Sequence, residues 1–202
     1  MSTALKRIEA NDYYTYADYL EWDEDFRAEI IHGTVYMMSP PLTVHQRIAG
    51  RLYLKLASYL EGKPCEAFIA PFGVRLFPKE DKSDDTVVEP DLVVVCDPSK
   101  IDERGCNGAP DLIIEIISPS NFRKDRIIKF NAYLKAKVRE FWIVSPEGES
   151  IEVHLLDEER ERYTTLTYGI NPPDTKEYER APEIVPSAIL PGLKIDVKDI
   201  FK

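Results

Sequence analysis

Asp111-Leu112-Ile113-Ile114-Glu115-Ile116-Ile117-Ser118 is a continuous aliphatic run with one carboxylate, Glu115, in its middle. Runs this short and this rich in branched residues read as strands covered on both faces, which places them inside a layered α/β sheet. A second run, Val87-Val88-Glu89-Pro90-Asp91-Leu92-Val93-Val94-Val95, carries Asp91 and is read the same way. Burying a carboxylate without a partner is costly. Two arrangements meet that cost. In one, the strands are neighbours, and Asp91 and Glu115 share a divalent cation such as Mg²⁺, which takes oxygen ligands. In the other, the acids are unrelated and each is hydrogen-bonded at its own strand end.

Outward from these runs, the order of elements is mixed. Thr15 and Asp18 have capping-box spacing, and Tyr16, Tyr19 and Leu20 repeat at helical spacing, predicting a short helix over 15–22. His32-Gly33 separates Ala28-Glu29-Ile30-Ile31 from Thr34-Val35-Tyr36-Met37-Met38 as a hairpin turn. Thr43 and Gln46 form a second capping-box pattern. The periodic set Val44, Ile48, Leu52, Leu56 and Tyr59 then predicts a long helix that stops at Gly62 and Pro64. Residues 67–77 read as a bent strand or strand pair around Pro71 and Gly73, and 78–85 as a charged loop.

After Glu115, Ser118-Pro119-Ser120-Asn121 leads into a helix expected over 122–137, with an apolar stripe of Ile127, Phe130 and Leu134. Residues 140–144 and 150–156 form a hairpin, 163–168 add a strand, and prolines punctuate the tail before 193–197. The expectation is an α/β (α+β) fold: a mixed central sheet with a helix on each side and extra antiparallel hairpins.

Composition sets the outer limits. With 202 residues, 44% hydrophobic and 31% charged, a single domain over 1–202 with a substantial core is expected. No stretch approaches the roughly 18 apolar residues of a membrane span, and Met1–Arg7 lacks the apolar centre of a secretory signal. These features predict a cytoplasmic protein without a membrane partner. Cys65, Cys96 and Cys106 lack metal-ligand spacing and are expected as reduced thiols. A net charge of −10 and a pI near 4.9 weigh against a surface that attracts polyanions throughout. Locally the balance reverses: residues 123–140 hold seven Lys or Arg against Asp125 and Glu140.

Along a strand, alternate side chains share a face, so Ile113, Glu115 and Ile117 stand together. An acid followed two positions later by lysine is the strand of many metal-dependent nucleases: the carboxylate binds the metal and the lysine orients or activates the attacking water. The chain here resembles the PD-(D/E)XK nuclease superfamily, with Pro90-Asp91 as its Pro-Asp element and Glu115-Ile116-Ile117 as its second half. More specifically it resembles the Uma family of restriction-endonuclease-like proteins. That resemblance rests on Ala28–Gly33, His45, Glu89–Val94, Pro110–Ser120, Lys129, Tyr133 and Glu140–Val144.

The resemblance implies a restriction-endonuclease-like fold, DNA as substrate, and Mg²⁺ or Mn²⁺ held by Asp91 and Glu115. It also shows one departure. Ile117 occupies the superfamily's lysine position and can neither donate a proton nor orient water. The resemblance therefore implies a lysine moved to the following helix, with Lys129 first and Lys124 in reserve. Glu29 matches a family acid that supports the cleft, or caps its hairpin turn. His45, in the first turn of the long helix, contacts a phosphate or is structural. Asp111 is read as an edge residue, and His154 and Tyr133 as packing residues.

Three functions follow as alternatives. The first is a Mg²⁺-dependent endonuclease with Asp91, Glu115 and Lys129 as catalytic residues, its segment 123–139 meeting the DNA backbone. The second is a catalytically degenerate nucleic-acid-binding or regulatory module on the same fold. The third is an enzyme that uses the cleft on a small phosphorylated compound. The aromatic residues of 13–22 suit either a homodimer contact or core packing.

Overall fold

The computed structural model describes residues 12–23, 26–118 and 124–202. Pro119–Arg123, which include the expected caps Ser120 and Asn121 and the start of the predicted helix, lie outside the described residues.

Helix α1 (Tyr16–Tyr19) is shorter than expected. The Asp18 carboxylate accepts from the Thr15 N–H at 3.0 Å and from its hydroxyl at 2.9 Å. Strands β1 (Ala28–Ile31) and β2 (Thr34–Met37) form the predicted hairpin. His32 and Gly33 both take positive φ, 50° and 74°, as a two-residue turn matched to strand twist requires. A Cβ on Gly33 would overlap the Tyr13 ring.

Helix α2 (Thr43–Leu60) matches the predicted periodicity, but its N-cap is Leu42 and no side chain caps it. The Thr43–Gln46 pattern therefore lies one position inside the helix and is not a capping box. Strands β3 (Glu66–Ile69) and β4 (Gly73–Arg75) follow, separated by a cis Ala70–Pro71 bond.

The run 87–95 is two strands rather than one. β5 (Val87–Val88) and β6 (Leu92–Val95) enter different sheets on either side of Glu89-Pro90-Asp91. Pro90 has no N–H to give a ladder, so pairing breaks there. β7 (Ile101–Asp102) and β8 (Gly105–Asn107) complete a first sheet of six strands, in the order β2-β1-β5-β4-β8-β7.

β9 (Leu112–Ile116) is the buried strand with which the sequence reading began. A π-helical turn (Lys124–Lys129) leads into α3 (Phe130–Lys135) and then β10 (Glu140–Ser145), which lies parallel to β9. A parallel pair needs such a crossover. β11 (Ser150–Asp157) and β12 (Arg162–Gly169) extend the sheet by hairpins, giving β12-β11-β10-β9-β6-β3. The tail supplies a small hairpin, β13 (Ile184–Pro186) with β14 (Lys194–Asp196), and α4 (Val197–Phe201).

The second sheet has a helix on each side, as expected. Ile48, Leu52 and Leu56 of α2 pack on Leu92, Val94, Leu112, Ile114 and Trp142. On the opposite face, Ala132 and Tyr133 of α3 pack with Val93, Ile113 and Phe141, and with Ile31, Val74 and Val88 of the first sheet. That the hairpins assemble into a full sheet was not anticipated.

Two more expectations are corrected. The predicted stripe Ile127, Phe130, Leu134 faces the core only in part: Phe130 is half-buried and packs beside Phe141 and Leu134 is half-buried, but Ile127 is 53% exposed, while Asp125, Lys129, Ala132 and Tyr133 are buried. The cause is the π turn, whose wider i→i+5 spacing rotates the face that meets the sheet. Cys65 and Cys96 are a disulfide, not reduced thiols. They flank the paired residues Glu66 and Val95, so the antiparallel β3–β6 ladder brings together cysteines 31 residues apart. Cys106 is free and buried, and burial pushes its thiol up to about 11.

Candidate functional site

The cleft forms where β6 begins and β9 ends. The two strands are antiparallel, with Leu92 opposite Ile114 and Val93 opposite Ile113. One step further along the same ladder sets Asp91 opposite Glu115, on the face that carries Ile113 and meets α3. Asp91 is held there by two contacts on one oxygen. Its Oδ2 accepts from the Ile116 N–H at 2.7 Å and lies 3.1 Å from His45 Nε2.

Glu115 is buried, and its hydrogen bonds also converge on one oxygen. Lys129 Nζ donates to Oε1 at 2.8 Å and the Tyr133 hydroxyl at 2.6 Å. Burial pushes the Glu115 carboxyl up to about 8 despite the opposing Lys129 charge, with Asp125, Asp91 and Glu29 adding to the rise.

Lys129 sits at the centre of the acids. Its amine is 2.6 Å from Glu29 Oε1, 2.8 Å from Glu115 Oε1 and 3.9 Å from Asp125 Oδ1. Burial alone would lower its pKa, but these carboxylates hold it well above the ordinary lysine value. Lys124 takes the other Glu29 oxygen at 2.7 Å. In a π turn, residues five apart are one turn apart, so both lysines reach the same carboxylate. Burial raises Asp125 to about 6, against the pull of Lys129 and Lys124. For His45, burial works downward, but the Asp91 hydrogen bond and charge outweigh it and raise the imidazole above 6.5.

All six residues singled out from sequence therefore belong to one constellation. Asp91, Glu115, Lys129, His45 and Lys124 line a cleft of about 400 Å³, and Glu29 lies behind it holding both lysines. Glu29 also accepts from the Glu89 N–H at 2.9 Å, so it is not the cap of its hairpin turn. Two members were missed. Tyr133, read as packing, donates to Glu115, and Asp125 is a buried acid inside a segment read as basic. Asp125 lies four residues before Lys129, a spacing visible in the sequence.

Two residues set apart as structural stay outside the cleft. Asp111 accepts from the Cys96 N–H at 2.6 Å and pairs with Arg139. His154 stacks on Phe141, its Nδ1 lies 2.8 Å from Thr165 Oγ1, and burial lowers it to about 4.

The expected phosphate-facing basic patch is largely consumed inside the fold. Lys124 and Lys129 bind Glu29, Arg126 binds Glu152 through two hydrogen bonds, and Arg139 binds Asp111. Lys135 lies over the Phe77 ring at 5.4 Å. Arg123 is outside the described residues.

The donor set suits a hard cation. Asp91 and Glu115 each concentrate their hydrogen bonds on one oxygen, leaving the other for a ligand, and hard oxygen donors are what Mg²⁺ takes. Among the described residues, no group of three His, Cys, Asp or Glu is arranged to hold a metal. Two carboxylates alone would leave the rest of such an ion's coordination shell to water. No helix among the described residues is long and apolar enough to cross a membrane.

Comparison with known proteins shows the family and the shared fold. A family model described as "Uma2: Putative restriction endonuclease" matches residues 16–198. An uncharacterised Synechocystis sp. protein, slr1290, is 26% identical over 140 residues, covering 68% of this chain and 71% of that one. A crystal structure from Anabaena variabilis, titled a putative nuclease belonging to DUF820, superposes with a TM-score of 0.69 at 22% identity. The match covers 93% of this chain and 97% of the other. A likeness of that kind establishes the shared fold, and the expected mixed sheet flanked by helices is borne out.

Proposed function

This chain belongs to the Uma2 family of putative restriction endonucleases, and on that premise we propose that it is a Mg²⁺-dependent phosphodiesterase acting on DNA. One observation carries the proposal: Asp91 and Glu115, 24 positions apart in sequence, meet as cross-strand neighbours in a cleft that also contains a buried lysine. Asp91 and Glu115 would hold the ion, which supplies Lewis-acid polarisation of the phosphoryl oxygen.

The chain's own groups supply the rest. The Ile116 N–H and His45 both contact Oδ2 of Asp91, so the carboxylate is held in place before any ion arrives. Tyr133 does the same for Glu115. Lys129, kept protonated by three carboxylates, stands where Ile117 cannot serve, and it orients the attacking water or stabilises charge on the pentacovalent phosphorus.

The direct test is cleavage of supercoiled plasmid and single-stranded circular DNA with Mg²⁺ or Mn²⁺, alongside calorimetry of Mn²⁺ binding. Wild type is expected to cut and to bind the ion, and Asp91→Ala to do neither. Equal inactivity of the two proteins overturns the proposal.

A second reading has its own support. Ile117 at the lysine position, together with cations already paired to carboxylates, favours a binding module that has lost catalysis. DNA binding that survives Asp91→Ala, without cleavage by either protein, identifies that case.

A further inference from the structure

The cleft contains one acid that the proposed reaction does not yet use. Asp125 is buried, with 3% of its surface exposed, and it lines the cleft together with Asp91, Glu115 and Glu89. It and Lys129 are the two buried members of the π turn. The neighbouring carboxylates all have close donors: the Ile116 N–H for Asp91, Lys129 and Tyr133 for Glu115, Arg27 for Glu89, and both lysines for Glu29 behind them. Asp125 has none among the described residues. Its nearest cation, the Lys129 amine, is 3.9 Å from Oδ1, beyond the reach of a hydrogen bond.

A structural role as counter-charge to Lys129 is already filled. That amine meets Glu29 and Glu115 at 2.6 and 2.8 Å, and Lys124 takes the second Glu29 oxygen, so Asp125 is a surplus acid beside cations that are satisfied without it. Burying a carboxylate without a partner is unfavourable. Burial raises this one to about 6, which leaves it ionised at neutral pH and in want of a donor from the cleft. Lys129 has such a donor to share. An ammonium carries three N–H groups, one more than the two carboxylates in contact with it. A gap of 3.9 Å is too long for a direct bond and suits one water bonded to both groups.

We propose that Asp125 is the catalytic base of the reaction: it accepts a proton from the attacking water, which Lys129 holds from its other side. The proposal rests on the nuclease reading given above. It fills the task left open by Ile117 at the strand position. As the water oxygen bonds to phosphorus, its proton passes to the Asp125 carboxylate and the bond from phosphorus to the leaving sugar oxygen breaks. The leaving oxygen takes a proton from solvent, and Asp125 returns its own to solvent, so the protein ends the cycle unchanged. Among the described residues Asp125 forms no three-acid group with Asp91 and Glu115 of the kind that encloses an ion, which separates this role from that of a third ligand.

The test compares the full chain as wild type, Asp125→Asn and Asp125→Ala on plasmid and on circular single-stranded DNA with Mn²⁺. Both variants are expected to lose about 100-fold or more in kcat with little change in KM. Sodium formate should restore part of the rate of Asp125→Ala, whose shortened side chain leaves room for a small carboxylate, and none of the rate of Asp125→Asn. Two further readouts need no turnover. Calorimetric Mn²⁺ affinity should be unchanged in Asp125→Asn. Its Tm in EDTA at pH 8 should equal or exceed that of wild type, because the substitution removes a surplus buried charge.

Asp125→Asn cutting DNA at close to the wild-type rate overturns the inference and leaves the nuclease standing. A lower Tm in EDTA assigns Asp125 to structure, loss of Mn²⁺ binding along with the rate assigns it to the ion, and either result overturns the inference. So does an equal response of the two variants to formate. A wild type that cuts neither DNA removes the nuclease reading, and this role with it.

Discussion

Glu115 on β9 and Glu140 on β10 are both buried carboxylates on adjacent parallel strands, and the protein treats them in opposite ways. Glu140, at the beginning of its strand, is surrounded by neutral donors. The Trp142 indole N–H donates to Oε1 at 2.7 Å, while the Ser187 hydroxyl and the Ala188 and Ile189 N–H groups donate to Oε2 at 3.1, 2.8 and 3.1 Å. Both oxygens are used, and the result is a clamp that ties the tail to the sheet. Glu115, near the end of its strand, has a lysine and a tyrosine on one oxygen and a cleft beside it. Burial alone does not distinguish a working carboxylate from a structural one. The distribution of donors over its two oxygens does.

The largest effect expected from breaking this comparison is on the structural side. Glu140→Ala leaves four donors without their acceptor, at roughly 1–3 kcal/mol each before water enters, so a loss of about 4 kcal/mol is expected. Urea denaturation would show it as a lower midpoint. A shift below 1 kcal/mol would mean that the clamp does not hold the tail.

Next is Lys129→Met, which removes the charge that Glu29 and Glu115 share and is expected to cost about 3 kcal/mol. Its pH dependence has a definite sign. The folded state keeps a proton on Glu115 up to about 8, whereas the unfolded chain releases it near 4.5, so this group's contribution falls as pH rises between those values. Without Lys129 the folded pKa rises further. The deficit of the variant should therefore be larger at pH 8 than at pH 5, and a deficit that shrinks at pH 8 contradicts the assignment.

This asymmetry explains what the sequence disclosed. Asp91 and Glu115 were legible because carboxylates inside aliphatic runs conflict with burial, and a conflict of that kind demands a partner. Glu140 heads an equally apolar run, but three of its four partners, one serine hydroxyl and two main-chain N–H groups, lie on a loop 47–49 residues away, which leaves no compositional trace. The long helix and the hairpins followed from periodicity and turn residues. The π turn did not, since a wider helical turn has no residue signature, and with it went the correct face of α3 and the site role of Tyr133. The disulfide was hidden for a related reason. The β3–β6 pairing that creates it is a tertiary fact, and cysteine spacing alone favoured free thiols.

A smaller effect sharpens the comparison from the cleft side. Glu115→Gln keeps an acceptor for Tyr133 and Lys129 while removing the charge, and Lys129 retains Glu29, so stability should change by only about 1 kcal/mol. The fall in stability between pH 4.5 and about 8 should flatten, because the group that titrates is gone. Mn²⁺ binding by calorimetry should be lost. A variant that is barely destabilised yet fails to bind the ion is the reverse of Glu140→Ala, which should bind it as long as it is folded.

The smallest effect is that of Tyr133→Phe. It removes one hydroxyl that donates at 2.6 Å and leaves the ring packed at 5.0 Å from Phe141, so the net stability cost is about 0.5–1 kcal/mol. Its value is in the direction of a second change. The hydroxyl stabilises the charged form of Glu115, so its loss should raise that carboxyl above its present value of about 8 and extend the fall in stability to higher pH. Denaturation midpoints at pH 7, 8 and 9 would resolve this against wild type. If Tyr133 only fills space, the two proteins should differ by a constant offset across that range. If it positions Glu115, the difference should widen with pH and the apparent affinity for Mn²⁺ should fall alongside it.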